Sequence, residues 1–262
     1  LGSDIDGEYA GDRSGYSLDL SDDGTVLAIG ALENDENGNS AGHVRIFKFE
    51  NNDWIQLGTD IDGEASGDLS GHSLSLNSDG SIIAIGAFAN DGAGNDSGHV
   101  RVFQNINQTW TQIGADIDGE AAGDRAGFGK SVSINADGDI LAVGAYRNSA
   151  NGIGAGHARV YQFEDSVWSQ MGSDIDGSLA GDYLGFSLSL NAEGNILAIA
   201  SSNNDNNGSN AGTVGIFAGG SNSSTYINTI QFINFASASN TSDFGDLNNA
   251  VNSLAGAASS TR

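Results

Sequence analysis

The stretch LGTDIDGEASGDLSGHSLSLNSDGSIIAIGAFANDGAGNDSGHVRVFQNINQTWTQ, Leu57 to Gln112, contains one full copy of an internal repeat. Its tetrapeptide DIDG starts at Asp60 and recurs at Asp4, Asp116 and Asp174, so units of about 56 residues begin at Leu1, Leu57, Ile113 and Met171. Each unit reads as four short strands. In the first unit, Tyr16, Leu18 and Leu20 alternate with Ser17 and Asp19, the period of two of a strand over Gly15–Ser21. Ser21-Asp22-Asp23-Gly24 makes a tight turn, with glycine supplying the left-handed backbone. Thr25–Ala31 is almost wholly apolar, as a strand covered on both faces should be. A polar loop, Glu33–Ser40, leads to a third strand over Gly42–Phe49, and Trp54 marks a fourth over Asp53–Leu57. Four antiparallel strands repeated at this period predict an all-β fold, a β-propeller of four-stranded blades. A β-helix would repeat at a shorter period, a sandwich would not repeat so faithfully, and the alternation excludes helical repeats.

Composition narrows the chemistry. The chain has 262 residues, 34 Asp and Glu against 9 Lys and Arg, and a net charge of −25. Phosphate contacts need basic side chains, so nucleic acid is excluded as a partner, and an anionic membrane surface is disfavoured for the same reason. With no Cys there is no disulfide framework, thiolate chemistry or thiolate metal site. No apolar run reaches the ~18 residues of a membrane span, so no membrane insertion is expected. No signal peptide is visible and the first residue is Leu1, so a processed product or a piece of a longer array is expected.

The segment GYSLDLSDDGTVLAIGAL followed by GHVRIFKF resembles the FG-GAP repeat, the blade unit of integrin-α-type propellers. Gly15-Tyr16, Gly71-His72, Gly127-Phe128 and Gly185-Phe186 occupy the FG position. Gly30-Ala31-Leu32, Gly86-Ala87-Phe88 and Gly144-Ala145-Tyr146 occupy the GAP position, which the fourth unit replaces with Ala200-Ser201-Ser202. The resemblance implies a calcium loop between the first two strands. Here that place holds only SDDG, NSDG, NADG or NAEG, too few residues for the six to eight oxygens of Ca²⁺, so the family's usual metal site is expected to be absent. The tail, rich in Ser, Asn and Ala, resembles kelch-like repeats of marine phage structural proteins and marine bacterial surface proteins. The expected division is residues 1–242 as propeller blades and 243–262 as an atypical segment that closes the ring or starts a further repeat. Blade number is four, or five if Leu1–Asp6 and the tail combine.

In a propeller the loops after the fourth and second strands of each blade share one face. These loops hold more than half of the 34 acids, so one strongly acidic face is expected. Within the D-I-D-G-x-x-x-G-D pattern, carboxylates dense enough for a hard cation come from Asp4, Asp6 and Asp12; Asp60, Asp62 and Asp68; Asp116, Asp118 and Asp124; and Asp174, Asp176 and Asp182. Ca²⁺ on these sets is weighed against plain turn-capping, in which Asp bonds its own backbone. His43, His99 and His157 share one strand position, filled by Thr213 in the fourth unit. Equivalent blade positions lie far apart, so the three cannot share one ion, and a structural role is expected. Trp54, Trp110 and Trp168 are expected to be buried between blades rather than to stack on sugars. Carboxylates that repeat single out no acid–base pair, and no catalytic motif occurs, so the chain is expected not to be an enzyme. It is expected to be an extracellular, surface-exposed binding or structural module. Its expected partners are cell-surface glycans or proteins, or other subunits of a filament. The alternative is a virion appendage for host attachment, and a polysaccharide hydrolase or lyase is the third reading.

Overall fold

The computed structural model describes residues 2–205, 210, 212–222 and 225–233. The expected boundary at 243 lies outside them. Four antiparallel sheets follow one another along the chain. The first contains β1 (Ser14–Leu20), β2 (Val26–Ala31), β3 (His43–Glu50), β4 (Asp53–Gln56) and β5 (Ile61–Asp62). The second contains β6 (Ser73–Leu76), β7 (Ile82–Ala87), β8 (His99–Ile106), β9 (Thr109–Gln112) and β10 (Ile117–Asp118). The third contains β11 (Val132–Ile134), β12 (Ile140–Ala145), β13 (His157–Glu164), β14 (Val167–Gln170) and β15 (Ile175–Asp176). The fourth contains β16 (Leu184–Leu190), β17 (Ile196–Ser201), β18 (Thr213–Asn222) and β19 (Thr225–Ile233). Each sheet is one propeller blade, as the repeat predicts.

The outer strand departs from the sequence reading. It does not stop after the Trp but resumes at DIDG: β4 pairs with Phe47–Glu50 of β3, and β5 pairs with His43 and Val44 of the same strand. The isoleucines of DIDG are therefore core residues, with Ile61, Ile117 and Ile175 all buried. Gly58, in the left-handed region at φ 82°, starts the irregular stretch between β4 and β5.

The core lies between blades rather than within them. Val26, Ala28, Val44 and Ile46 of blade one pack with Leu76, Ile83, Ile85, Phe103 and Trp110 of blade two. The same clustering recurs between blades two and three, around Ala84, Val102, Leu141 and Trp168, and between three and four, around Ala142, Val160, Ile199 and Phe217. This explains why the second strand of each blade is apolar throughout. One set of its side chains faces the preceding blade and the other the following one, and each buried Leu or Ile contributes about 1.5–3 kcal/mol. Blade one has no described predecessor, and its alternation shows this: Leu18 is 66% and Leu20 48% exposed, whereas the equivalent Leu76 is 7% exposed.

Close approach of neighbouring blades needs glycine at one point. A Cβ on Gly30, Gly86 or Gly144 would meet the backbone of Gly71, Gly127 or Gly185 in the next blade, nearer than real Cβ atoms come. The fourth unit holds Ala200 there, and no described blade follows it.

On one face the tight turns form a chain of hydrogen bonds. The Asp22 amide donates to Ser78 O (3.0 Å), Ser78 to Ala136 O (3.2 Å) and Ala136 to Ala192 O (3.0 Å). Asp23 accepts from the Ser21 hydroxyl and from the Thr25 amide and hydroxyl, bonds that hold its carboxyl below the usual range. A carboxylate engaged in this way closes a turn, and these residues do not fit the calcium loop that the FG-GAP resemblance implies.

From blade to blade, the FG-position rings form a file. Tyr16 and His72 lie 4.9 Å apart, His72 and Phe128 4.6 Å, and Phe128 and Phe186 6.0 Å, with Phe88 packed edge-on to His72 and Tyr146 edge-on to Phe186. His72 accepts from the Gly129 amide at Nδ1 (3.1 Å) and contacts the Tyr16 hydroxyl through Nε2 (3.2 Å), the pattern of a neutral ring. Burial lowers its pKa from 6.5 to about 4. The unfolded chain then binds a proton that the folded chain refuses. The stabilising contribution is complete above pH ~6.5 and is lost as pH falls towards ~4, amounting to about 2 kcal/mol after allowance for partial solvation. His72→Phe, which installs the residue of units three and four, is expected to flatten the loss of stability between these pH values. Urea midpoints of both proteins across that range check it, and parallel curves would contradict it.

Candidate functional site

The opposite face carries the loops that follow β5, β10 and β15, interlocked with the loops between the second and third strands of each blade. The Gly67 amide donates to Asn39 O (2.9 Å), Leu69 to Ser40 O (3.2 Å), and the Asn37 side chain to Gly63 O (2.7 Å). The same bonds recur one blade on, from Gly123 to Asn95 O (2.8 Å) and from Arg125 to Asp96 O (3.2 Å). The two loop families thus share a face, and Asp4, Asp6, Glu8, Asp35, Glu36, Glu64, Asp91 and Glu120 are exposed on it.

The twelve aspartates proposed as calcium ligands divide among different environments. The last member of each set is buried and caps a turn. Asp12 accepts from the Tyr9 amide (3.2 Å) and Asn34 Nδ2 (2.9 Å), Asp68 from Ala65 and Asn90 (both 3.0 Å), and Asp124 from Ala121 and Asn148 (both 3.0 Å). Asp182 accepts from the Leu179 amide (3.0 Å) and the Ser178 hydroxyl (3.3 Å). The middle members Asp62, Asp118 and Asp176 lie on the short outer strands, in register with His43, His99 and His157. Burial raises the carboxyl pKa of Asp62 and Asp118, and neighbouring acids add to the effect. Asp4 and Asp6 stand exposed at the first blade, where Asp6 O accepts from Arg45 (2.6 Å).

The first members turn towards the histidines. Asp60, Asp116 and Asp174 accept from Gln56, Gln112 and Gln170 while approaching the imidazoles. His43 Nδ1 lies 3.8 Å from both Asp60 Oδ2 and Glu8 Oε2, and His99 Nδ1 lies 3.9 Å from both Asp116 and Glu64. His157 Nδ1 is 3.8 Å from Asp174 and 3.6 Å from Glu120. Glu36 joins the first group. All of these separations exceed a hydrogen bond. Among the described residues these are the three groups that bring His and carboxylates together, and none unites Asp4, Asp6 and Asp12 or their equivalents.

Arginines two residues after each histidine complete the pattern. Arg45 Nη1 is 3.7 Å from Glu8, and Arg101 Nη1 is 3.5 Å from Glu64. Arg159 is paired with Glu120 and holds Asp174 in a two-pronged bond of 3.0 and 3.2 Å. Burial opposes ionisation of Asp174, yet Arg159 and Gln170 keep its carboxyl below the usual range. Burial, with help from Arg101 and Arg159, lowers His99 to about 4 and lowers His157, so both imidazoles are neutral at neutral pH.

The three histidines belong to three separate groups, and each gathers carboxylates from the incoming loop and from its own outer strand, which the expectation of a purely structural role did not include. The signal was present in the fourth unit, where Glu, His and Arg are replaced together by Ser178, Thr213 and Gly215.

No known protein family and no curated protein matches the sequence. Solved structures do match, and they place the chain among the β-propellers. The periplasmic gluconolactonase of Pseudomonas aeruginosa is similar at a TM-score of 0.54 and 15% identity, over 85% of this chain and 58% of that one. TolB from Acinetobacter baumannii is similar at a TM-score of 0.46 and 14% identity, over 83% and 43%. A candidate 6-phosphogluconolactonase from Bacteroides uniformis is similar at a TM-score of 0.43 and 11% identity, over 83% and 70%. The chain thus spans about half the length of the first two. The gluconolactonase corrects the expectation that the chain is not an enzyme. A catalyst is built on this same architecture, and a search for short motifs misses sites assembled from separate loops, as the His–carboxylate groups here are.

Proposed function

We propose that the protein is an extracytoplasmic recognition module that binds polyhydroxylated ligands, cell-surface glycans above all, through its acidic loop face. The observation that carries this reading is the convergence of exposed carboxylates from two loop families on one side, with Tyr9 standing 71% exposed among them. Carboxylates accept hydrogen bonds from sugar hydroxyls, and an exposed ring offers an apolar face for stacking. Kinship to FG-GAP repeats, a secreted or periplasmic location and use of the same face on a virion appendage belong to this proposal. Ca²⁺ held by exposed aspartates such as Asp4 and Asp6 would strengthen such contacts. Among the described residues, no helix is long and apolar enough to cross a membrane.

A glycan array probed with the whole chain tests the reading. Saturable binding to a subset of glycans is expected, weakened about tenfold or more by combined Asp4→Asn, Asp6→Asn and Tyr9→Ala. An array with no bound glycan, or a variant that binds unchanged, would sink it. Repeating the assay with a chelator reports on Ca²⁺. The second reading is hydrolysis of a sugar lactone or polysaccharide, favoured by the neutral, buried imidazoles set between paired carboxylates. Acid release from gluconolactone, compared between the native chain and His157→Gln, tests that reading.

A further inference from the structure

We propose that Glu8, Glu36, His43 and Asp60 form a binding site for a divalent transition-metal ion of the zinc type, with weaker equivalents at Glu64–His99–Asp116 and Glu120–His157–Asp174. The proposal does not rest on the glycan reading, because it is carried by the buried imidazole and the carboxylates gathered around it.

Three observations carry it. First, the donor set is one imidazole with two or three carboxylates, all candidate ligand atoms lying within 4.8 Å of one another. A tetrahedral ion with bonds of about 2.0–2.2 Å spaces its ligands by about 3.4 Å, so the His–carboxylate separations of 3.6–3.9 Å close around an ion with shifts of a few tenths of an ångström, and the exposed carboxylates, free to turn, close the remaining separations of up to 4.8 Å. An imidazole in the set favours Zn²⁺, Co²⁺ or Ni²⁺ over Ca²⁺, which takes oxygen alone.

Second, His43 is 1% exposed and its Nδ1 has no hydrogen-bond partner, although it points at two carboxylates. His157 Nδ1 is in the same condition. A buried nitrogen without a partner is costly, and a metal ion removes that cost. Third, the fourth unit loses Glu and His together, at Ser178 and Thr213, as expected when neither serves without the other.

The arginines set the ranking. In the third blade Arg159 already engages both carboxylates. In the first and second, Arg45 and Arg101 direct one nitrogen to Asp6 O and Asp62 O (2.6 Å each) and stay 3.7 and 3.5 Å from Glu8 and Glu64, and Glu36 adds a further negative charge to the first alone. The first group therefore keeps the largest uncompensated charge and should hold its ion most tightly.

The test is titration of the chelator-stripped chain with Co²⁺, followed by visible absorption, and with Zn²⁺, followed by calorimetry. One tight site with a tetrahedral Co²⁺ spectrum is expected, followed by weaker uptake. Glu36→Gln and Asp60→Asn are each expected to weaken the tight site about tenfold or more, and His43→Gln to abolish its spectrum. Circular dichroism of each variant shows that it is folded, and the two carboxylate variants carry the test should His43→Gln unfold. Glu164→Gln, at the far end of β13 from His157, should leave the affinity unchanged. Absence of saturable binding, displacement of Co²⁺ by equimolar Ca²⁺, or full affinity in the Glu36 and Asp60 variants would each overturn the proposal.

Discussion

Gly144→Ala is expected to lower the unfolding free energy by about 3 kcal/mol, equivalent to a fall in melting temperature of roughly 6–12 °C. A methyl group at this position points at the backbone of Gly185 in the next blade, and backbone cannot move aside as a flexible side-chain tip can. The blades must separate locally, which loosens the cluster of Ala142, Val160, Ile199 and Phe217 around the contact. Ala200→Gly is the internal control. It is the reverse change at the equivalent place in the fourth blade and should cost only the ~0.5–1 kcal/mol of an ordinary glycine in a strand. Calorimetric scans of both variants decide the matter. Equal effects would mean that the glycines serve some purpose other than blade approach.

Trp168→Ala is expected to cost about 3–5 kcal/mol, the range for removing a large buried ring. Trp168 is buried, packs 4.9 Å from Phe163 and donates its indole N–H to Ile113 O (3.0 Å), tying the outer strand of blade three to the segment leaving blade two. Truncation leaves both a cavity and an unpaired carbonyl. Trp110→Ala should match it, since that indole donates to Leu57 O (2.7 Å) from an equally buried position. Trp54 is only half-buried, and Trp54→Ala should cost distinctly less. Denaturant titrations of the three variants provide the comparison, and equal losses would contradict the inter-blade role.

The periodicity exposed most of this architecture before any coordinates. Alternation at Tyr16, Leu18 and Leu20, the apolar run Val26–Ala31 and the recurring Trp located four strands per unit within a residue or two. The missed strand is instructive. Ile61 is flanked by Asp60 and Asp62, and two charged neighbours beside a glycine read as a turn. Only the pairing of Ile61 and Asp62 with Val44 and His43 shows that backbone hydrogen bonds outweigh those local preferences. The candidate site was half legible. The residue types were visible, but spacing along the chain grouped Asp4 with Asp6 and Asp12, whereas folding groups Glu8 with His43 and Asp60. Asp60 stands just before β5 and turns to His43, Asp62 lies within the strand and Asp68 caps the turn beyond it, so sequence proximity was a poor guide to which carboxylates meet.

The successive turns bonded to one another on one face, the interlocked loops on the other and the apolar clusters between them bind every adjacent pair of blades at three levels. Such coupling makes the four described blades a one-dimensional cooperative array, in which losing one unit strips its neighbour of partners above, below and beside it. Amide exchange should therefore show opening that spreads inward from the flank exposing Leu18 and Leu20, with Ile83, Ile85 and Leu141 in the slowest-exchanging group.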